Sequence, residues 1–153
     1  MGMTELAITR PSDWELPLFL HVLGATLTFG AVGTVALLSF AARGRVPEQA
    51  LLLRRWALWT GLLGVVPAFV LMRVAAQWIA DKEYPGDAKT PGWLDVGFIV
   101  TEPGALLLLV TLILAWFAAR RERFRAAAAV PWLASVYLVA LGIAWFAMSA
   151  KPG

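Results

Sequence analysis

The feature that most constrains the fold of this chain is a set of four long apolar segments, at about residues 16–42, 56–80, 96–119 and 126–150. Each reaches the roughly 20 apolar residues that a helix needs to cross the hydrocarbon core of a bilayer. Because backbone polar groups find no water there, a spanning segment must satisfy its own hydrogen bonds, as a helix does. The sequence therefore predicts an all-α, four-helix transmembrane bundle, with residues 1–153 forming a single membrane domain.

The composition agrees with a membrane protein and narrows its chemistry. Hydrophobic residues make up 60% of the chain, charged residues only 15%, and the mean hydropathy is +0.73. The chain has no cysteine, which excludes disulfides, thiolate metal sites and iron–sulfur clusters. We find no phosphate-binding loop, nucleophile elbow or metal-hydrolase spacing in the sequence. It therefore predicts no catalytic residues and favours a protein that is not an enzyme.

The positive charges are distributed unequally between the two ends of the predicted bundle. Eight arginines lie in the first connection and in the turn between the last two segments: Arg43, Arg45, Arg54, Arg55, Arg120, Arg121, Arg123 and Arg125. The opposite side carries four basic residues: Arg10, Lys82, Lys89 and Lys151. Since Lys and Arg are retained on the cytoplasmic face, both termini are expected outside, in a multi-pass protein of the bacterial plasma membrane. These short basic runs set the membrane topology of the chain. We therefore exclude nucleic acid as a partner and expect the partner to be the lipid bilayer.

Three ionisable residues fall inside the predicted spans. His21, Arg73 and Glu102 come from three different helices, yet each lies five to seven residues from the predicted outer end of its segment. An unpaired charge at membrane depth costs about 2.5–3.5 kcal/mol on insertion scales. Such residues therefore pair with one another and mark functional sites.

We accordingly predict an Arg73–Glu102 ion pair that faces the bundle interior, with His21 hydrogen-bonded nearby. Gln77 and Thr101 are expected to add hydrogen bonds to this polar cluster, which would open to the outer face. Pro103 directly follows Glu102, so the third helix is expected to kink there or to begin there.

The chemistry of the cluster leaves four interpretations open. It could be a structural latch, or His21 could be an axial ligand of haem b. The second haem ligand would then be Met72, Met148, water or His21 of a second subunit, so a homo-oligomer is one option. Imidazole and the thioethers of Met72 and Met148 also suit a copper site. A His and Glu pair at partial depth could serve ion transport.

The first span carries a family resemblance in the segment HVLGATLTFGAV, residues 21–32. With GWLDVGFIV at residues 92–100 and the arginine-rich end of the third span, it resembles an uncharacterised four-helix family of bacterial, actinobacterial-type integral membrane proteins. The short helix-1 pattern is also similar to CopD-like membrane domains and to HemJ-type protoporphyrinogen oxidase, where an early histidine is implicated in haem binding and catalysis. Of the residues that this resemblance involves, only His21 carries over. A catalytic lysine within a span has no counterpart here, because all lysines of this chain lie outside the spans.

The sequence thus predicts a small polytopic membrane protein that binds haem or another small ligand at its polar cluster. A copper or ion transport accessory protein and a purely structural membrane subunit are the alternatives.

Overall fold

The computed structural model describes residues 15–83, 92–121 and 125–150, except the side chains of residues 93 and 94. Four long helices form the bundle. Helix α1 is Glu15–Ala41, α2 is Pro47–Glu83, α3 is Gly92–Arg120 and α4 is Val130–Ala150, preceded by a short 3-10 turn at Arg125–Ala128. All four are long and apolar enough to cross a membrane, so the predicted all-α, four-helix architecture is confirmed. Most of the connection between α2 and α3 and the centre of the α3–α4 turn lie outside the described residues.

Helices α2 and α3 extend beyond the apolar segments that predicted them. Helix α2 begins at Pro47, well before the apolar run at about residue 56. Proline suits the first turn of a helix because its missing N–H would be unpaired there anyway. The early part of α2 carries Glu48, Arg54 and Arg55, so hydropathy alone could not detect it as helix.

Neighbouring helices run antiparallel, which gives the bundle two chemically different ends. Helices α1 and α3 begin, and α2 and α4 end, at what we call the His21 end; the opposite end is the arginine end. Helix α1 packs against both α2 and α4, and α3 packs against α4. The first half of α2, near the arginine end, also packs against α3, whereas its second half packs mainly on α1. The bundle is therefore looser between α2 and α3 at the His21 end.

Two prolines within spans have different local effects. In α2, residues Gly61–Val65 form one turn of π-helix just before Pro67, and the N–H of Val66 bonds to the carbonyl of Gly61. In α3, Pro103 lies inside a continuous helix. The expectation that this helix begins at Glu102 is therefore wrong. Loss of one backbone donor is tolerated because the turns on both sides hold the helical conformation.

Tyr137 marks the centre of the core and is only 1% exposed. Its ring covers Gly104 so closely that a Cβ added there would lie 2.5 Å from the tyrosine Cε2. Among the described residues its buried hydroxyl has no hydrogen-bond partner. A buried, unpaired hydroxyl costs about 1–3 kcal/mol. Tyr137 is thus a polar group that sequence reasoning did not single out.

Helices α1 and α2 come into close backbone contact at Gly24. A Cβ built on Gly24 would lie 2.6 Å from the backbone nitrogen of Met72 and 2.8 Å from its Cα, and 3.0 Å from the Ala68 carbonyl oxygen. Small residues allow such contact between membrane helices. Because the opposing atoms are backbone, no side-chain rotation could relieve the overlap.

We predict that Gly24→Ala destabilises the protein by about 1–3 kcal/mol, the usual cost of overpacking a tight interface. Thermal unfolding of the purified protein in detergent would measure the change. Gly30→Ala is the matched control, because a Cβ at that position of α1 meets nothing within 4 Å. Equal melting temperatures for the two variants would contradict the proposed backbone contact.

Candidate ligand site at the His21 end

His21 lies on the face of α1 that points into the bundle. Buried residues recur along this face at Pro17, Gly24 and Thr28, and His21 itself is half-buried between them. Its Nδ1 atom is 3.1 Å from the carbonyl oxygen of Met72. Since a carbonyl oxygen can only accept, Nδ1 must carry the hydrogen in this bond. In the neutral imidazole, Nε2 is then the unprotonated nitrogen with an available lone pair.

The hydrogen bond of His21 depends on the backbone contact next to it. Gly24 lies one turn further along the same face of α1 and touches the backbone of Met72. That contact holds α2 close enough for the imidazole to reach a main-chain carbonyl. The Met72 side chain is only 4% exposed and packs inside the bundle.

Arg73 joins α2 to α3. One of its terminal nitrogens, Nη2, is 3.6 Å from Oε1 of Glu102, so the predicted ion pair is present. The other, Nη1, donates to Oε1 of Gln77 at 2.9 Å. The guanidinium carbon also lies 5.5 Å from the ring centroid of Phe98 on α3. These side chains bridge the two helices where the backbones themselves are further apart.

The hydrogen-bonded chain continues beyond the residues that sequence reasoning named. Nε2 of Gln77 donates to Oδ1 of Asp81 at 2.7 Å. Arg73, Gln77 and Asp81 are spaced four residues apart, which places them on one face of α2. Through the neutral amide of Gln77, this chain links the ion pair to Asp81 near the exposed end of the helix.

Three parts of the predicted cluster differ in the structure. The side chains of Arg73 and Glu102 are 29% and 66% exposed, so the pair lies at the edge of the bundle rather than in its interior. Thr101 donates to the carbonyls of Gly97 and Phe98 in its own helix, as threonine commonly does when no other acceptor is near. The described hydrogen bond of His21 goes to backbone, not to either charged residue.

The possible metal ligands are dispersed. Within the described ranges, no group of three or more His, Cys, Asp and Glu side chains could hold a metal ion. Met72 is buried beside His21, whereas the Cε atom of Met148 packs against Gly97 on α3, 2.7 Å from where a Cβ would be. His21 Nε2 is therefore the main candidate to bind an iron or another electron-poor centre.

Sequence reasoning missed the hydrogen-bond acceptor of His21 and the aromatic partner of Arg73. The acceptor for His21 is a main-chain carbonyl, which every residue carries, so its identity depends on helix register. Phe98, by contrast, precedes Glu102 by four residues and thus shares its face of α3. That spacing could have indicated an aromatic partner for Arg73.

Comparisons with known proteins find no matching family model, no matching curated protein and no matching solved structure. The fold and the local geometry therefore carry the functional argument. The resemblance based on the HVLGA segment stays a prediction.

We predict that Arg73 and Glu102 are energetically coupled. Arg73→Glu or Glu102→Arg alone would place like charges together, whereas the charge-swapped double variant restores an attractive pair. We expect a coupling of about 0.5–1 kcal/mol, toward the low end for ion pairs because both side chains are partly exposed. A double-variant cycle on thermal unfolding measures it, and destabilisations that merely add would contradict the pairing.

Proposed function

We propose that this chain is a small multi-pass protein of the bacterial plasma membrane that binds a small ligand at the His21 end, without being an enzyme. In this proposal both termini lie outside, as the arginine distribution favours. Haem b is the specific candidate ligand, with Nε2 of His21 as an axial ligand of the iron.

The observation that carries the proposal is the hydrogen bond from Nδ1 of His21 to the carbonyl of Met72. Histidines that bind metals usually donate their other ring nitrogen to a carbonyl or carboxylate, which fixes the tautomer and the orientation of the ring. The same bond leaves Nε2 unprotonated and able to donate its lone pair. An imidazole in this state on the inward face of α1 has the chemistry of a ligating histidine.

The surroundings of His21 support an anionic, flat ligand. The looser contact between the second half of α2 and α3 provides a lateral approach, and Arg73 lies at its edge. A guanidinium forms charge-assisted hydrogen bonds with carboxylates. Haem b offers iron to the imidazole and propionates to Arg73. The second axial position stays open among Met72, Met148, water and His21 of a second copy.

The other predicted roles become outcomes of the same experiment. A copper site would use the imidazole of His21 with methionine thioethers. A copper or ion transport accessory protein would need to bind its metal or ion at this cluster. A purely structural membrane subunit would use His21 and Arg73 only to fix helix register. No contact among the described residues specifically favours either role over ligand binding.

The test is a titration of the detergent-purified chain with hemin, followed by its absorbance. We expect a saturable shift of the Soret band, lost or weakened at least about tenfold in His21→Ala, which corresponds to about 1.4 kcal/mol. Met72→Leu removes the thioether but keeps the carbonyl that orients His21, so weaker binding in this variant would identify Met72 as the second axial ligand and unchanged binding would exclude it. Arg73→Gln should weaken binding less than His21→Ala.

Several results would count against haem. An unshifted Soret band, or identical titrations for the wild type and His21→Ala, contradicts the proposal. Elemental analysis after copper loading then tests the copper alternative, again with His21→Ala. If neither ligand binds and His21→Ala only lowers the melting temperature, the structural role is correct.

A further inference from the structure

A second concave site lies at the arginine end, on the opposite side of the membrane from His21. It is a cavity of about 190 Å³ between the last turns of α1 and α3, α2 and the 3-10 turn before α4. A cavity needs only about 10–15 Å³ to hold one water molecule, so this cavity can accept a larger group. Alanine side chains from these elements form most of its wall, and their small size creates the space.

The polar part of the cavity is strongly positive. Its lining includes Arg43, Arg54 and Arg125 and the buried residue Ser39, and no Asp or Glu among the described residues. Arg54 is already engaged in another interaction. Arginines brought together in a concave site repel one another unless an anion lies between them. The cavity is therefore complementary to a negatively charged group.

Arg43 is held in place before any ligand arrives. Its guanidinium carbon lies 5.0 Å from the ring centroid of Phe40 and 5.6 Å from that of Trp132. These two rings pack edge to face at 5.3 Å, and Nη2 of Arg43 donates to the carbonyl of Ala128. A guanidinium carries further N–H donors in a rigid plane, which suits bidentate contact with phosphate. Ordering Arg43 therefore adds little to the cost of binding.

The cavity lies at the depth where lipid headgroups are expected. Exposed tryptophans surround this end of the bundle: Trp56, Trp59, Trp116 and Trp132. Tryptophan is enriched at the membrane–water interface, and basic pockets between membrane helices on the cytoplasmic side bind phosphorylated headgroups.

We propose that this cavity binds a phosphate group through Arg43 and Arg125, with the hydroxyl of Ser39 as a further hydrogen-bonding group. The phosphate can belong to an anionic phospholipid headgroup or to a free phosphate compound. The site is independent of the proposed ligand at His21.

The test uses the full chain purified in a neutral detergent. Thermal stability and native mass spectrometry are measured with added phosphatidylglycerol, with inorganic phosphate and with phosphatidylcholine as the neutral-lipid control. We expect stabilisation by phosphatidylglycerol and weaker or no stabilisation by phosphatidylcholine. Protection by inorganic phosphate, in competition with the lipid, would identify phosphate alone as sufficient; binding of the lipid only would identify the headgroup as the source.

Arg43→Gln and Arg125→Gln should each weaken binding about tenfold, since a hydrogen bond to a charged group is involved. Arg45→Gln is the matched control, because it removes the same charge from the exposed connection without lining the cavity. Because Arg43 also packs on two aromatic rings, Arg125→Gln decides the question if Arg43→Gln fails to fold.

The proposal is overturned if neither phosphatidylglycerol nor phosphate binds, or if phosphatidylcholine binds as tightly. It is also overturned if Arg45→Gln weakens binding as much as Arg125→Gln. In those cases the arginines only cap helix ends and set topology.

Discussion

The backbone contact between Gly24 and Met72 determines what the His21 end of this bundle can do. Inside a bilayer, a polar group must find its partner within the protein, because hydrocarbon offers none. A glycine on α1 lets α2 approach until a main-chain carbonyl comes within 3.1 Å of the imidazole. The packing of α1 against α2 therefore also determines which ring nitrogen of His21 carries the hydrogen. The main-chain carbonyl of Met72 thus supplies the hydrogen bond that orients the imidazole.

The two ends of the bundle use charge differently. At the His21 end, opposite charges are paired along a line from Glu102 through Arg73 and Gln77 to Asp81. At the arginine end, arginine side chains are held by aromatic rings and helix-end carbonyls: Arg43 beside Phe40, and Arg55 donating to the carbonyl of Ala119. The first arrangement combines one guanidinium with two carboxylates, whereas the second is rich in guanidinium groups, which attract anions. The two ends of this small bundle are thus chemically distinct.

The fold was largely predictable from the sequence, because hydrocarbon imposes a minimum length and an apolar composition on each span. The Arg73–Glu102 pair was predictable for the same reason: a lone Arg and a lone Glu at one depth have few other partners. Its exposure was not, since depth along a helix does not give the direction in which a side chain points. The continuous helix at Pro103 was also not predicted, because proline disfavours helix at the residue before it. In the structure, the turns on both sides outweigh the loss of one backbone hydrogen-bond donor.

The acceptor of His21 could not be predicted, because it is backbone and depends on the register of α1 against α2. The same limit applies to the arginine cavity, whose residues come from all four helices and were assigned in the sequence only to topology. The account as a whole depends on Nδ1 of His21 carrying the hydrogen. Since the chain has one histidine, selective ¹⁵N-histidine labelling gives a single pair of ring nitrogens in the NMR spectrum. We expect the neutral imidazole to carry its hydrogen on Nδ1, with Nε2 unprotonated; a neutral ring with the hydrogen on Nε2 and a bare Nδ1 would contradict the account.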